Sequence, residues 1–235
     1  MVHQPGSKIQ LIAGALMRIL LADDQPILRM GLMALLRQIG KHVVFHEADT
    51  HLDVLSIATQ HSPHIAVMDL SLSGIFTFEL IKNLKKHAPG TPVLVVSMQD
   101  EMFYAERALK AGARGYAMKN WSNQTLLQAV NAVSQGKVWF SEQFQNRVIE
   151  KMITGGEIPA QGVSALSDRE LMVFRMIGSG LRKSDIARRL NLSPNTVETY
   201  RSHIKQKLGV ETGVELSRIA FLHLQEEQTL SLDRA

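Results

Sequence analysis

Cysteine is missing altogether from the 235 residues, which rules out disulfides, thiolate zinc sites and cysteine nucleophiles at once. Its absence is compatible with a reducing cytosol. No apolar run is long enough to span a bilayer, so the chain reads as cytoplasmic, with no membrane partner. A strong charge of either sign is lacking too: 26 Lys+Arg face 22 Asp+Glu, a formal net charge of +4. That balance permits a nucleic-acid partner without requiring one. What is present, 45% hydrophobic and 20% charged residues, is the make-up of a globular protein with room for one large domain or two ordinary ones.

The first sixteen residues stand apart. Lys8 ahead of "IQLIAGA" gives a faint likeness to a secretory signal. The apolar run is short, however, and leads straight into the strand "RILLAD", while Met17 is itself a natural start. Residues 1–16 are therefore read as an N-terminal extension ahead of the native start.

From Arg18 onward, short aliphatic runs (18–22, 43–46, 65–69, 93–97, 115–118) alternate with helical patterns (27–38, 52–60, 78–87, 104–111, 123–135). The first helix carries Leu28, Leu32, Leu35 and Leu36 on one side. Five strand–helix repeats, with strands apolar nearly throughout, predict an α/β domain over 17–136. Its core is a doubly wound, five-stranded parallel sheet covered on both faces. Residues 137–163 break the rhythm and read as a linker: "SEQFQNRVIEKMITGG" accommodates a short helix, and "GGEIPAQG" is dense in Gly and Pro. Beyond it, residues 164–228 read as a small all-α domain of four helices, with 229–235 as a tail. Ser167 and Ser193 are N-cap signals; Gly178, Gly180 and Gly209 read as helix stops.

The run "ILLADDQP" ends a buried strand in two adjacent carboxylates, Asp23 and Asp24. Side-by-side acids repel unless something positive sits between them. In an open α/β sheet ligands bind beyond the carboxyl ends of the strands. Those ends are Asp23–Asp24, Asp69, Ser97 and Lys119. Each has a duller explanation: Asp24 a helix cap, Asp69 a turn former, Ser97 a strand end, Lys119 a solvated charge. Five on one edge outweigh those readings and suit Mg²⁺, a hard cation that takes carboxylates and phosphate oxygens. Asp69 is then the nucleophile toward a phosphoryl group. Asp24 and Asp69 hold the metal with help from Asp23 and the Ser71 backbone carbonyl, while Lys119 and Ser97 contact phosphoryl oxygens.

At these residues "LLADDQPILRMGL", "VMDLSLSG", "VVSMQD" and "KAGARGYAMK" closely resemble the flavodoxin-like receiver domain of two-component response regulators. The resemblance implies that a sensor histidine kinase donates phosphate to Asp69, that Ser97 shifts toward it, and that Tyr116 is the switch aromatic that changes rotamer. A half-buried strand aromatic is the plainer reading of Tyr116. Two positions depart from the pattern. Ser73 stands where proline is common, four residues after the acceptor aspartate. Asn120, not proline, follows Lys119, so a cis bond is not expected there.

In the helical domain Val197, Tyr200, Ile204 and Leu208 share one apolar face, and "KSDIARRLNLS" precedes them. Helix, short turn and capped second helix over about 181–202 are helix-turn-helix grammar, the second helix entering the major groove. Arg188, Arg189, Arg201, Lys205 and Lys207 can reach phosphates, and the Ser193 cap aims helix N–H groups at another. The stretch from Leu166 to Val210 resembles the LuxR-type DNA-binding domain, and with the receiver it indicates the NarL/FixJ class. By position, Glu198, Thr199 and Ser202 face bases, Arg201 and Lys205 lie nearer the backbone, and Lys183, Ser193 and Asn195 complete the expected contact set. Glu198 either accepts from cytosine N4 or pairs with Arg201 one turn on. Val214, Leu216, Ile219 and Ala220 offer a dimer face, part of which burial within the bundle explains.

The expected function is a DNA-binding transcription regulator, not an enzyme, switched by Mg²⁺-dependent phosphorylation that favours a homodimer on operator DNA. Packing of the two domains would occlude the recognition helix at rest. One rival is a phosphatase working through an aspartyl-phosphate; Ser71, rather than a second Asp, stands two residues after Asp69 and argues against it. Another is constitutive DNA binding with the receiver as a dimer scaffold.

Overall fold

A computed structural model of the chain describes residues 16–153 and 162–233. The chain divides between Ser141 and Glu142 into two compact units. In the first unit the order is β1 (Met17–Ala22), α1 (Pro26–Leu36), β2 (Val43–Ala48), α2 (His51–His61), β3 (Ile65–Met68), β4 (Ser71–Leu72) and β5 (Ile75–Phe76). It continues with α3 (Phe78–His87), β6 (Val93–Ser97), α4 (Glu101–Ala111), β7 (Gly115–Met118) and α5 (Asn123–Ser134). Five strands form a parallel sheet in the order β2-β1-β3-β6-β7. The strand direction never reverses but the order does, between β1 and β3, which opens a crevice at their carboxyl ends.

The three central strands are buried along nearly their whole length, as a sheet packed on both faces requires. Ile19, Leu21, Ile65, Val67, Leu94 and Val96 share one core cluster with Leu35 and Leu36 of α1 and Leu126, Val130 and Val133 of α5. The expected stripe of α1 faces the core: Leu35 and Leu36 are buried and Leu32 packs against the cluster, while Leu28, a turn earlier, is only partly covered.

Three local features go beyond the sequence reading. The first is an antiparallel hairpin, β4–β5, directly after the third strand, with Ser71 opposite Phe76 and Leu72 opposite Ile75. Its two-residue turn, Ser73–Gly74, has both φ angles positive, +53° and +76°, the signature of a type I′ turn. The second is that residues 137–141, expected to open the linker, lie along β7. Tyr116 N–H donates to the Trp139 carbonyl at 2.9 Å, and Trp139 N–H to that of Arg114 at 3.0 Å. Trp139 thereby bridges that edge, and among the described residues β2 forms the other edge of the sheet. The third is that the helix expected in the linker is a full three turns, α6 (Glu142–Ile153). The Gly- and Pro-rich stretch after it lies, apart from Gly162, outside the described residues, as does the N-terminal extension apart from Leu16.

The second unit contains α6, then α7 (Asp168–Gly178), α8 (Lys183–Leu190), α9 (Pro194–Leu208) and α10 (Gly213–Asp233). The four helices expected over 164–228 are α7 to α10, but α10 runs on through most of the expected tail. Ser167 opens α7 with a full capping box: its hydroxyl accepts from Glu170 N–H while the Glu170 carboxylate accepts from Ser167 N–H. Glycines 180 and 209 stop helices at positive φ, as expected. Gly178 does something else. A Cβ there would sit 2.5 Å from the Ala220 carbonyl oxygen, so this glycine sets the close crossing of α7 on α10.

Candidate functional site

Register brings the acids together. Ala22 of β1 pairs with Met68 of β3, so the next residues, Asp23 and Asp69, leave neighbouring strands side by side, about 4.8 Å apart by strand spacing. Asp69 N–H donates to the Ala22 carbonyl at 2.8 Å and seals that alignment. Ser97 pairs with Met118, and the following Lys119 N–H donates to the Ser97 carbonyl at 2.8 Å. The carboxyl edge thus presents Asp23, Asp24, Asp69, Ser97 and Lys119 as one constellation. Ligand oxygens of Asp23, Asp24 and Asp69 all lie within 4.8 Å of one another.

The electrostatics are lopsided. Asp23 is buried and takes the Lys119 ammonium at 2.7 Å; the same ammonium stands 3.4 Å from Asp69. One cation therefore pairs with two buried acids, while a third, Asp24, opens to solvent beside them. Burial pushes the Asp69 carboxyl above its usual range, and Asp23 adds to the push. Lys119, by charge and hydrogen bond, and the Leu70 N–H at 2.8 Å work the other way. A divalent cation fits this donor set: three hard oxygen donors with more negative charge than the lysine can neutralise.

The remaining site residues are positioned but not all are engaged with Asp69. Ser97 donates its hydroxyl to Gln99 Oε1 at 2.7 Å. Tyr116 is fully buried rather than half-buried, and its hydroxyl donates to the Gln99 carbonyl at 2.9 Å. Burial drives the Tyr116 pKa far up, so the phenol stays protonated. Ser71 opens β4 two residues after Asp69. Peptide bonds among the described residues are trans, Lys119–Asn120 included, in line with the absence of proline at 120.

Four contributors were not anticipated from sequence. Gln99 joins the Ser97 and Tyr116 hydroxyls through its side chain and its backbone. Thr77 donates its hydroxyl toward the Asp69 and Leu70 carbonyls, fixing the loop that follows the acceptor. Arg29 ties α1 to the site by donating to the Asp23 carbonyl at 2.6 Å and to Glu47 at 2.8 Å. Ser73 N–H donates to Asp24 Oδ2 at 2.8 Å. Each acts through backbone or loop shape, which residue type alone does not announce.

In the second unit α8 and α9 form the expected pair, joined at Asn191, which caps α8 in the left-handed region. Ser193 caps α9 by accepting from Thr196 N–H at 3.0 Å, with Pro194 in the first helical position. Val197 and Ile204 are buried while Asn195, Glu198, Thr199 and Ser202 are exposed, so α9 has the two faces expected of it. Glu198 lies between two cations, 3.3 Å from Lys183 and 3.9 Å from Arg201. Lys205 donates to the Glu211 carbonyl at 3.1 Å. Lys207 does not fit the phosphate-reaching role expected for it, because its ammonium is bound to the buried Glu170 carboxylate at 2.6 Å. The α10 stripe also divides: Leu216 and Ala220 pack inside the bundle, Ile219 is half-buried and Val214 faces solvent, as do Phe221 and Leu222, which lie outside the expected stripe.

Residues 19–131 match the family model of the response regulator receiver domain, and residues 164–220 that of bacterial regulatory proteins of the luxR family. The chain is 31% identical over 211 residues to the response regulator GacA of Pseudomonas aeruginosa, covering 88% of this chain and 97% of that one. It is a two-component response regulator of the NarL/LuxR family. A second relative, the transcription regulator BvgA of Bordetella pertussis, is 31% identical over 205 residues, covering 86% of this regulator and 96% of the relative. Among solved structures, RcsB of Salmonella enterica serovar Typhimurium, bound to a promoter with the phosphomimetic BeF3−, aligns with a TM-score of 0.61. The two are 26% identical, over 87% of this chain and 98% of RcsB. No helix among the described residues is long and apolar enough to cross a membrane.

Proposed function

We propose that this regulator is switched by Mg²⁺-dependent phosphorylation of Asp69 by a sensor histidine kinase, and that the modified chain dimerises and binds operator DNA through α9. The observation that carries the reading is the meeting of three carboxylates beside one lysine at the sheet's carboxyl edge. A phosphatase would use the same acids. The second unit, matched over 164–220 to the luxR regulators, gives that edge a DNA-binding output and favours a cytoplasmic switch over an enzyme.

In the transfer an Asp69 carboxylate oxygen forms a bond to phosphorus while the phosphorus–nitrogen bond of the donor phosphohistidine breaks. The departing imidazole nitrogen takes up a proton. Asp23, Asp24, Asp69 and the Ser71 carbonyl would hold the metal, whose chemistry is to offset charge on the phosphoryl oxygens. Lys119 adds a second positive group at the same oxygens. Ser97 leaves Gln99 and donates to the phosphoryl group, which releases the Gln99 side chain and alters the loop beneath the Tyr116 hydroxyl. That local change biases a two-state equilibrium toward the DNA-binding form. Lys183, Ser193, Asn195, Thr199, Arg201, Ser202 and Lys205 make the DNA contacts, and exposed Val214, Phe221 and Leu222 form part of the dimer face.

The test is intact-mass analysis after treatment with a small acyl phosphate donor and Mg²⁺. One phosphate per chain, absent from Asp69→Asn and absent without Mg²⁺, supports the reading. Steady turnover of a phosphate ester by the protein would instead favour the phosphatase.

A further inference from the structure

A glutamate in the first turn of a helix normally faces water, where it already complements the helix dipole. Glu101, the first residue of α4, is instead buried, with 3% of its surface exposed. Capping does not require this, because Asp100 caps α4 by accepting from Met102 N–H at 2.8 Å. A Glu101 carboxyl oxygen accepts from the backbone N–H of Ser141 at 2.9 Å, across 40 residues of sequence. Ser141 is the last residue of the first unit, and α6 leaves directly from it.

The segment that Glu101 holds is the one that lies along β7. Two backbone hydrogen bonds tie Trp139 to Arg114 and Tyr116, and its side chain packs against the core cluster. Gly115 makes room for it: a Cβ there would lie 2.9 Å from the Trp139 carbonyl oxygen. Residues 137–141 thus form a strap, fixed at Trp139 by β7 and at Ser141 by the start of α4. The loop between β6 and α4 joins this strap to the acceptor site. Ser97 donates to the Gln99 side chain, the Gln99 carbonyl accepts the Tyr116 hydroxyl, and two residues on stands Glu101. Tyr116 meets both ends of the circuit, with its hydroxyl on Gln99 and its N–H on Trp139.

We propose that Glu101 is a latch between the acceptor site and the linker. It holds Ser141 at rest, and the shift of the Gln99 loop that follows phosphorylation carries it away from the strap. The root of α6 is then released, which loosens the connection to the helical unit. The proposal rests on the phosphorylation reading given above and adds the route by which the signal leaves the receiver. A backbone amide that loses its acceptor in a part-buried place opens more readily, by about tenfold.

The experiment is residue-resolved amide hydrogen exchange by NMR on the full-length chain, before and after treatment with an acyl phosphate donor and Mg²⁺. In wild type the Ser141 amide exchanges slowly at rest and about tenfold faster once phosphorylated. In unphosphorylated Glu101→Ala it is already fast, while the core Val67 amide keeps its protection; Glu101→Gln, which retains an acceptor oxygen, stays close to wild type. Unphosphorylated Glu101→Ala also gains about fivefold in affinity for DNA selected by the phosphorylated wild type, at the lower end of ordinary coupling. A Ser141 amide that ignores phosphorylation overturns the latch, as does one that ignores Glu101→Ala. Unchanged DNA affinity in Glu101→Ala overturns it too. Should Glu101→Ala fail to fold, the wild-type comparison with and without phosphate decides. Wild type that takes up no phosphate overturns the phosphorylation reading itself, whereas phosphorylated wild type with a slow Ser141 amide overturns only the latch.

Discussion

At the scale of single residues the site is a charge imbalance held in place by strand register. Asp69 is buried beside Asp23, and one lysine serves both, so in metal-free buffer its negative charge opposes folding. Asp69→Asn is therefore expected to melt higher than wild type without Mg²⁺ and to lose the Mg²⁺-dependent stabilisation that wild type shows. Thermal denaturation at neutral pH with and without MgCl₂ checks both signs. Ser97→Ala separates the chemistry from its consequence. Asp69 and Lys119 are untouched, so on the proposed mechanism the phosphate is still accepted, but the hydroxyl proposed to leave Gln99 for the phosphoryl group is gone. Phosphate incorporation near wild type, with little or no gain in DNA affinity, is the expected pair of results. The meeting of these residues was legible because acids, a hydroxyl and a lysine close neighbouring strands of one parallel sheet, and register then leaves them nowhere else to go. Gln99, Thr77 and Arg29 were not legible, because they serve through carbonyls and loop shape that a string of residue types does not encode.

At the scale of elements the second unit depends on two junctions. Glu170 completes the capping box of α7 and also binds Lys207 at the end of α9. Burial raises its pKa, but Lys207 and the Ser167 amide and hydroxyl outweigh this and hold the carboxyl below its ordinary value. A depressed carboxylate adds stability that is present above the unfolded-state value, about 4.3. That stability is lost as pH falls through the lower folded-state value. Glu170→Gln keeps the capping box, since glutamine also accepts from the Ser167 amide, but loses the ion pair with Lys207 and should accordingly lower stability at pH 7 by up to about 1 kcal/mol, with the difference shrinking in acid; melting followed by circular dichroism from pH 7 to 3 measures it. The other junction is Gly178. Alanine there would press on the Ala220 carbonyl, and overpacking of that kind typically costs about 1–3 kcal/mol. Helix positions here were readable from caps and periodicity, down to the Ser167 N-cap. The crossing at Gly178 was not, because a helix-ending glycine and a close-contact glycine look alike until a partner helix is present.

The α9 surface raises a question of its own at this scale. Glu198 is exposed between Lys183 and Arg201, an arrangement that gives little stability in water. Its effect on DNA is larger, since it masks cations otherwise available to phosphates. Glu198→Gln should strengthen binding to all sequences and steepen the salt dependence by about one unit of slope. If instead preference for cytosine disappears at one position, Glu198 reads a base. Binding to a randomised DNA library at several salt concentrations separates the two.

At the scale of the molecule, a receiver unit proposed to accept phosphate and a luxR-type helical unit proposed to bind DNA must be coupled for the arrangement to regulate. Both units were recognisable from sequence because each carries its own dense signature: a strand-end constellation in one, a capped helix pair in the other. What joins them was less readable. The segment 137–141 looked like free linker yet lies along β7, since backbone pairing to an open strand edge demands no particular side chain. The most direct test of coupling is the affinity of the full-length chain for operator DNA selected from a random library. It is measured by fluorescence anisotropy before and after treatment with an acyl phosphate donor and Mg²⁺. Wild type is expected to gain about tenfold or more, within the ordinary range of coupling energies, and Asp69→Asn is expected to gain nothing. Wild type that takes up phosphate with no change in affinity, or Asp69→Asn that gains as much as wild type, would contradict the account.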